Sequence, residues 1–165
     1  MAQITLKGNP TNSIGNLPAK GSKAPAFKLV KSDLGSLELQ ELKGRKVILN
    51  ISPSLDTSVC ATAIRKFNQL SADKENTVVL AITKDLPFAH GRFCTTEGIK
   101  NVITLSGFRD HDFGKAYGIE ILDGPFTGLY ARSVVVIDEE GIVKYTELVP
   151  EITREPDYEK ALSAL

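Results

Sequence analysis

The chain has 165 residues, 42% of them apolar and 24% charged, with 20 Lys and Arg against 20 Asp and Glu. This suits one globular domain, residues 1–165, with a full core and no need of disulfide staples. A net charge of zero without a dense basic cluster argues against nucleic acid as a partner, and no run reaches the roughly 20 apolar residues of a membrane helix.

The opening MAQITLKGNPTNSIG lacks the basic and apolar regions of a secretory signal, which points to the cytoplasm. Within it QITLKG alternates as a short strand, with its turn expected at Gly8-Asn9-Pro10. A Pro/Gly-rich connector follows, and FKLVKSDLGSLELQEL reads as two short strands around a turn at Ser32, Asp33 and Gly35. RKVILNIS, NTVVLAIT and NVITLS are apolar runs of the kind found in strands covered on both faces.

Helical patterns separate these runs. From about Ser58 the spacing of Val59, Ala63, Ile64, Phe67 and Leu70 fits one helix face, with Asp56, Thr57 and Ser58 all suited to cap it. DLPFAHGRFCTTEG predicts a second helical segment, capped by Asp85, with Pro87 in its first turn and Gly98 at its end. RDHDFGKAYGIEI suggests a short helix ending at Gly118, and ARSVVVIDEEGIVKYTEL a hairpin turning at Asp138 to Gly141. EPDYEKALSAL predicts a terminal helix with Pro156 in its first turn. Buried strands alternating with helices, then a hairpin and a helix, predict an α/β fold. The order is that of a thioredoxin-like fold, a mixed central sheet flanked by helices, with an N-terminal β-hairpin extension.

The chain has two cysteines, Cys60 and Cys94. From the count alone, two unrelated buried thiols are the plainer reading. The position of Cys60 favours chemistry instead, because free backbone N–H groups and the dipole make a helix start electropositive and so favour a thiolate. Thr57 can cap that helix or hold an incoming oxygen, Pro53 ends the strand or shields the sulfur, and a nearby cation must complete the activation.

Pro53-Ser54-Leu55-Asp56-Thr57-Ser58-Val59-Cys60 resembles the P-x-x-x-T-x-x-C signature of peroxiredoxins. With RKFNQL, DLPFAHGRFC, TEGIKNVITLSGFRD, AYGI, ARSVVVIDEEG and EITREPDYEKAL, the chain is similar over nearly its whole length to the thiol peroxidases, atypical two-cysteine peroxiredoxins. The resemblance implies an antioxidant peroxidase acting on hydrogen peroxide and organic hydroperoxides. Cys60 matches the peroxidatic cysteine, Thr57 the residue that orients peroxide and thiolate, and Arg132 the arginine that stabilises both. On position alone, Arg132 reads as a salt-bridged surface residue. Cys94 matches the resolving cysteine, which would form an intrachain disulfide with Cys60 for thioredoxin to reduce. Both cysteine-bearing segments are then expected to unwind partly in turnover, and Gly91 with Thr95-Thr96 makes the second a weak helix.

A homodimer is also implied, and the apolar residues of PFAHGRF and LDGPFTGLY favour organic hydroperoxides. Some relatives carry a third cysteine in the strand matching VVLAI; this chain has none there. A disulfide oxidoreductase would want C-x-x-C, but Cys60-Ala61-Thr62-Ala63 lacks the second thiol. A non-enzymatic redox sensor using the same pair is the rival from another class. His90 and His111 stand in no hydrolase or metal context and read as surface or helix residues, while Arg109 lies near the active site or at a dimer contact. DEEG is a solvated turn, and no nucleotide or metal motif calls for a cofactor.

Overall fold

The computed structural model describes residues 1–165. Strands β1 (Ala2–Leu6) and β2 (Asn9–Ser13) form a separate antiparallel hairpin. Its turn is Lys7-Gly8, with φ of 51° and 81°, rather than Gly8-Asn9-Pro10. Two left-handed residues close a tight hairpin, so Asn9 and Pro10 are free to begin β2.

The remaining strands build one mixed sheet: β3 (Lys28–Lys31), β4 (Ser36–Glu38), β5 (Lys46–Ile51), β6 (Thr77–Thr83), β7 (Val102–Ser106), β8 (Ser133–Ile137) and β9 (Val143–Leu148). Their order is β4-β3-β7-β6-β5-β8-β9, with β5, β6 and β7 mutually parallel and the other pairings antiparallel. A 3₁₀ turn spans Leu39–Leu42, and the helices are α1 (Ser58–Leu70), α2 (Pro87–Glu97), α3 (Phe113–Ala116) and α4 (Tyr158–Ser163). The arrangement is the thioredoxin-like one expected, with β5-α1-β6 crossing over, β8-β9-α4 closing the sheet and the hairpin added in front.

Successive side chains of a strand point to opposite faces, and the core divides accordingly. Val47, Leu49 and Ile51 face a cluster with Phe27, Phe113, Tyr117 and Tyr130. Ile48 faces the other cluster, where Ile64 and Phe67 of α1 and Ala161 of α4 pack. Each fully buried Leu, Ile or Phe contributes about 1.5–3 kcal/mol of transfer free energy. Phe67 meets Tyr158 edge-on with centroids 5.1 Å apart, which joins α1 to α4.

Two helix starts differ from expectation. In α4, Asp157 is the cap and accepts from the Lys160 N–H, so Pro156 precedes the helix. In α2, Leu86 occupies the cap position without a side-chain bond and Pro87 lies in the first turn, while Asp85 faces elsewhere. Gly98 ends α2 in the left-handed region at φ 65°, where glycine has no Cβ penalty.

Candidate active site

β5 runs into Ser52 and Pro53, both buried, and a short loop carries the chain to the start of α1. Thr57 caps the helix: its Oγ1 accepts from the Cys60 N–H at 3.3 Å and donates to the Ser54 carbonyl at 3.2 Å. Cys60 therefore lies in the first turn of α1, and it is 0% exposed. Pro53, Thr57 and Cys60 are thus brought together by one loop and one helix turn.

Arg132 enters from the residue before β8 and is 2% exposed. Its Nη2 donates to Cys60 Sγ at 3.3 Å and its Nε to the Ile152 carbonyl at 2.8 Å, while Nη1 has no protein partner. It is neither at the surface nor paired with a carboxylate, as its position alone suggested. A buried guanidinium is costly unless an anion compensates it. Here the side-chain group it donates to is a thiol sulfur, and that arrangement is balanced when the sulfur is anionic.

The N-terminal hairpin supports this contact from a distance. The Thr5 N–H donates to the Pro150 carbonyl at 2.8 Å, and the Ile152 N–H donates to the Thr5 carbonyl at 2.9 Å. Between them, the Glu151 carboxylate accepts from Thr153 N–H and Gly8 N–H at 2.8 Å each, and from the Thr153 and Thr5 hydroxyls. These donors, the Thr153 N–H foremost, hold the Glu151 carboxyl down to about 2. The carbonyl that grips Arg132 is therefore anchored by the hairpin, a role that the local pattern of QITLKG does not announce.

Cys94 lies in α2, half-buried, and like Cys60 is a free thiol. Burial pushes the Cys94 thiol up from its ordinary range, partly offset by a hydrogen bond with Thr104 of β7. The two sulfurs thus sit in different surroundings, Cys60 buried against the Arg132 guanidinium and Cys94 half-buried in α2. Ion pairs span the groove of about 350 Å³ between α1 and α2. Arg65 holds Glu97 through two bonds of 2.9 Å, and Arg92 reaches Asp56 at 3.5 Å. A larger cavity of about 440 Å³, lined by Lys23, Leu42, Val47 and Ile137, lies at the opposite end of the sheet from Cys60.

Sequence reasoning missed three further groups. Asp85 is not a helix cap; its carboxylate takes the loop beside Cys60 instead, accepting from the Leu55 N–H at 2.7 Å and the Ser54 hydroxyl at 2.8 Å. Asn50 is 0% exposed amid the apolar run of β5, with neither amide atom hydrogen-bonded. His90 belongs to α2 as expected, but at 1% exposure it is a buried residue. His111 is exposed, and Arg109 is exposed and stacks on Phe108 at 5.6 Å. No cluster of three or more His, Cys, Asp and Glu side chains forms a metal-binding group.

Comparison with known proteins places the chain in context. The Redoxin family model matches residues 19–162. The chain is 56% identical to the thiol peroxidases of Mycobacterium bovis and Mycobacterium tuberculosis, over all of this chain and 99% of theirs. It also superposes on a crystal structure of a peroxiredoxin-like protein from Aquifex aeolicus with a TM-score of 0.93 at 40% identity, covering 100% of this chain and 98% of that one. A thiol peroxidase from Chromobacterium violaceum shares the fold at a TM-score of 0.90 and 22% identity, over 98% of this chain and 93% of that one.

Proposed function

We propose, on the premise that the chain belongs to the Redoxin family and to its thiol peroxidase branch, that it reduces hydrogen peroxide and organic hydroperoxides through Cys60. The observation that carries this reading is the guanidinium of Arg132, buried with no carboxylate partner, donating to the Ile152 carbonyl and the Cys60 sulfur, with Nη1 left free to donate. The Cys60 thiolate attacks the terminal peroxide oxygen and the O–O bond breaks. Sulfur loses two electrons and becomes a sulfenic acid, while the negative charge leaves on the second oxygen, which takes a proton to give water or an alcohol. Arg132 Nη1 is the donor for that developing charge, and Thr57 Oγ1 keeps a lone pair that can accept the peroxide O–H. Pro53 shields the sulfur.

Cys94 then attacks the Cys60 sulfur, water leaves, and an intrachain disulfide forms. Burial favours the protonated form of Cys94, so it resolves only when α2 opens. A thioredoxin-type dithiol reduces the disulfide, which sets the cycle in the reducing cytoplasm. A homodimer belongs to the same reading. Leu86, Phe88 and Phe108 are 51%, 69% and 41% exposed. The Gly107 N–H bonds to the Thr83 carbonyl at 2.9 Å and so brings Phe108 beside the start of α2, giving an apolar patch that a second copy can cover.

The test is an NADPH assay coupled through thioredoxin and its reductase, run with hydrogen peroxide and with cumene hydroperoxide. Turnover with both, abolished in Cys60→Ser, is the expected result. Negligible wild-type turnover would favour the redox sensor, and activity surviving Cys60→Ser would remove Cys60 from its role.

A further inference from the structure

The loop that presents Cys60 and the helix that carries Cys94 meet in one polar cluster, half-buried at Ser54 and Asp85 and buried at Thr83 and His90. Asp85 Oδ1 accepts from the Ser54 hydroxyl at 2.8 Å, and Oδ2 accepts from the Leu55 N–H at 2.7 Å and the Thr83 hydroxyl at 2.8 Å. The Ser54 carbonyl in turn holds both the N–H and the hydroxyl of Thr57 at 3.2 Å. Two of these three bonds to one carboxylate therefore fix the residues that set the Thr57 cap, and the third holds Thr83 at the end of β6.

On its other side the cluster reaches α2. Thr83 Oγ1 lies 2.8 Å from His90 Nε2. His90 stands four residues before Cys94, one turn away on the same helix face. The proton count fixes the direction of that bond. Thr83 has one hydroxyl proton, which goes to the Asp85 carboxylate, a group with acceptors only. The Asp85 N–H already donates to the same hydroxyl oxygen at 2.9 Å. His90 must therefore donate from Nε2, as the neutral tautomer, and its Nδ1 is buried without a partner.

We infer that Asp85 is a positioning residue for the peroxidase reaction: its carboxylate holds the loop that aligns Thr57 and Cys60 and, through Thr83 and His90, ties that loop to the helix of Cys94. Closed, the tie favours attack on peroxide. Broken, it frees both segments together for disulfide formation. The inference rests on the peroxidase reading above and adds a division of labour between the two steps. Without the tie the first step slows and the second speeds up, whereas mere loss of stability would not shift the two in opposite senses.

The experiment separates the steps in Asp85→Asn and, because that change can impair folding, also in the milder Ser54→Ala. One equivalent of hydrogen peroxide is mixed with reduced protein, and Cys60 oxidation is followed in quenched samples in a Cys94→Ser background. In the two-cysteine protein, intact mass then gives the ratio of disulfide to sulfinic acid as peroxide rises, the sulfinic acid arising when a second peroxide oxidises the sulfenic acid and is itself reduced. Losing charge-assisted hydrogen bonds is expected to slow Cys60 oxidation about tenfold in Asp85→Asn, less in Ser54→Ala. Both variants should need several-fold more peroxide to reach half sulfinic acid. His90→Gln should shift that partition in the same sense and slow the first step less. An unchanged oxidation rate in both Asp85→Asn and Ser54→Ala, or a partition moving toward sulfinic acid, overturns the inference. Failure of wild-type Cys60 to react with peroxide overturns the peroxidase reading instead, so the two failures are distinct.

Discussion

Acidifying the protein from pH 7 to pH 5 should cost it stability through His90 in particular. Burial, only partly countered by the charge of Asp85, holds the His90 imidazole down to about 4 from its ordinary 6.5. Between those two values the unfolded chain binds a proton that the folded chain refuses, so stability is intact above pH 6.5 and falls as pH drops toward 4. At pH 5 the difference in proton binding amounts to roughly 2 kcal/mol relative to pH 7, and it approaches about 3 kcal/mol below pH 4. The physical cause lies in Nδ1, which on protonation becomes a buried N–H with nothing to accept it. Urea unfolding of the wild type and of His90→Gln at pH 7, 6 and 5 reads the effect, because the carboxylates and the exposed His111 contribute alike to both chains. The gap between the two should change by about 2 kcal/mol over that range. Parallel pH profiles for the two chains would refute the account of His90.

Three other substitutions test other parts of the structure. Arg132→Met should lower the rate of Cys60 oxidation by about 10²–10³ in stopped-flow mixing with peroxide, the usual cost of removing one preorganised donor; a loss below tenfold would place the activation elsewhere. Asn50→Leu, which fills a similar volume without the unpaired amide, should raise the urea-derived stability by about 1–3 kcal/mol, and a destabilised variant would mean that the amide is satisfied in solution. Phe88→Glu puts a charge at the centre of the exposed patch and should convert a sedimenting dimer to monomer, an outcome the dimer reading does not survive if the wild type already sediments as a monomer.

The sequence made the immediate neighbourhood of Cys60 legible, because the signals there are local. The breaker Pro53, the cap Thr57 and the apolar stripe of α1 lie within one turn or two of one another. The three central strands followed likewise, since the apolar runs of β5, β6 and β7 are long enough to mark buried strands. Arg132 was reached through the family resemblance, for its own neighbours say nothing of the partner it meets across 72 positions. Asp85 was misread as a cap because local rules weigh only the helix that follows, whereas Ser54 and Leu55 arrive from the neighbouring strand's loop. His90 was obscured for another reason. The buried residues of α2 are Pro87, His90 and Phe93, too few apolar side chains to draw an inner face until the histidine is counted on it. The tie from the hairpin through Glu151 to Ile152 spans most of the chain and left no local mark.

The compensation of Arg132 also gives the proposed cycle a direction. While Cys60 is a thiolate, the buried guanidinium faces a negative charge, and the closed start of α1 is held by that pair as well as by the Thr57 cap. Attack on peroxide moves the charge from sulfur to the leaving oxygen, and the charge departs with the product. The guanidinium is then left buried without its anion, a condition that costs about 3–5 kcal/mol when one partner of a buried pair is lost. That exceeds what any one polar contact contributes to keeping the first turn of α1 folded, about 1 kcal/mol for a cap and less for each exposed ion pair. Oxidation therefore weakens the closed form at the moment when Cys60 must leave it to meet Cys94. Hydrogen exchange of the amides from Thr57 to Ala61, measured in Cys94→Ser before and after one equivalent of peroxide, should quicken on oxidation. Equal protection in both states would mean that the charge on sulfur does not hold the turn, and release would then have to come from thermal opening of α2 alone.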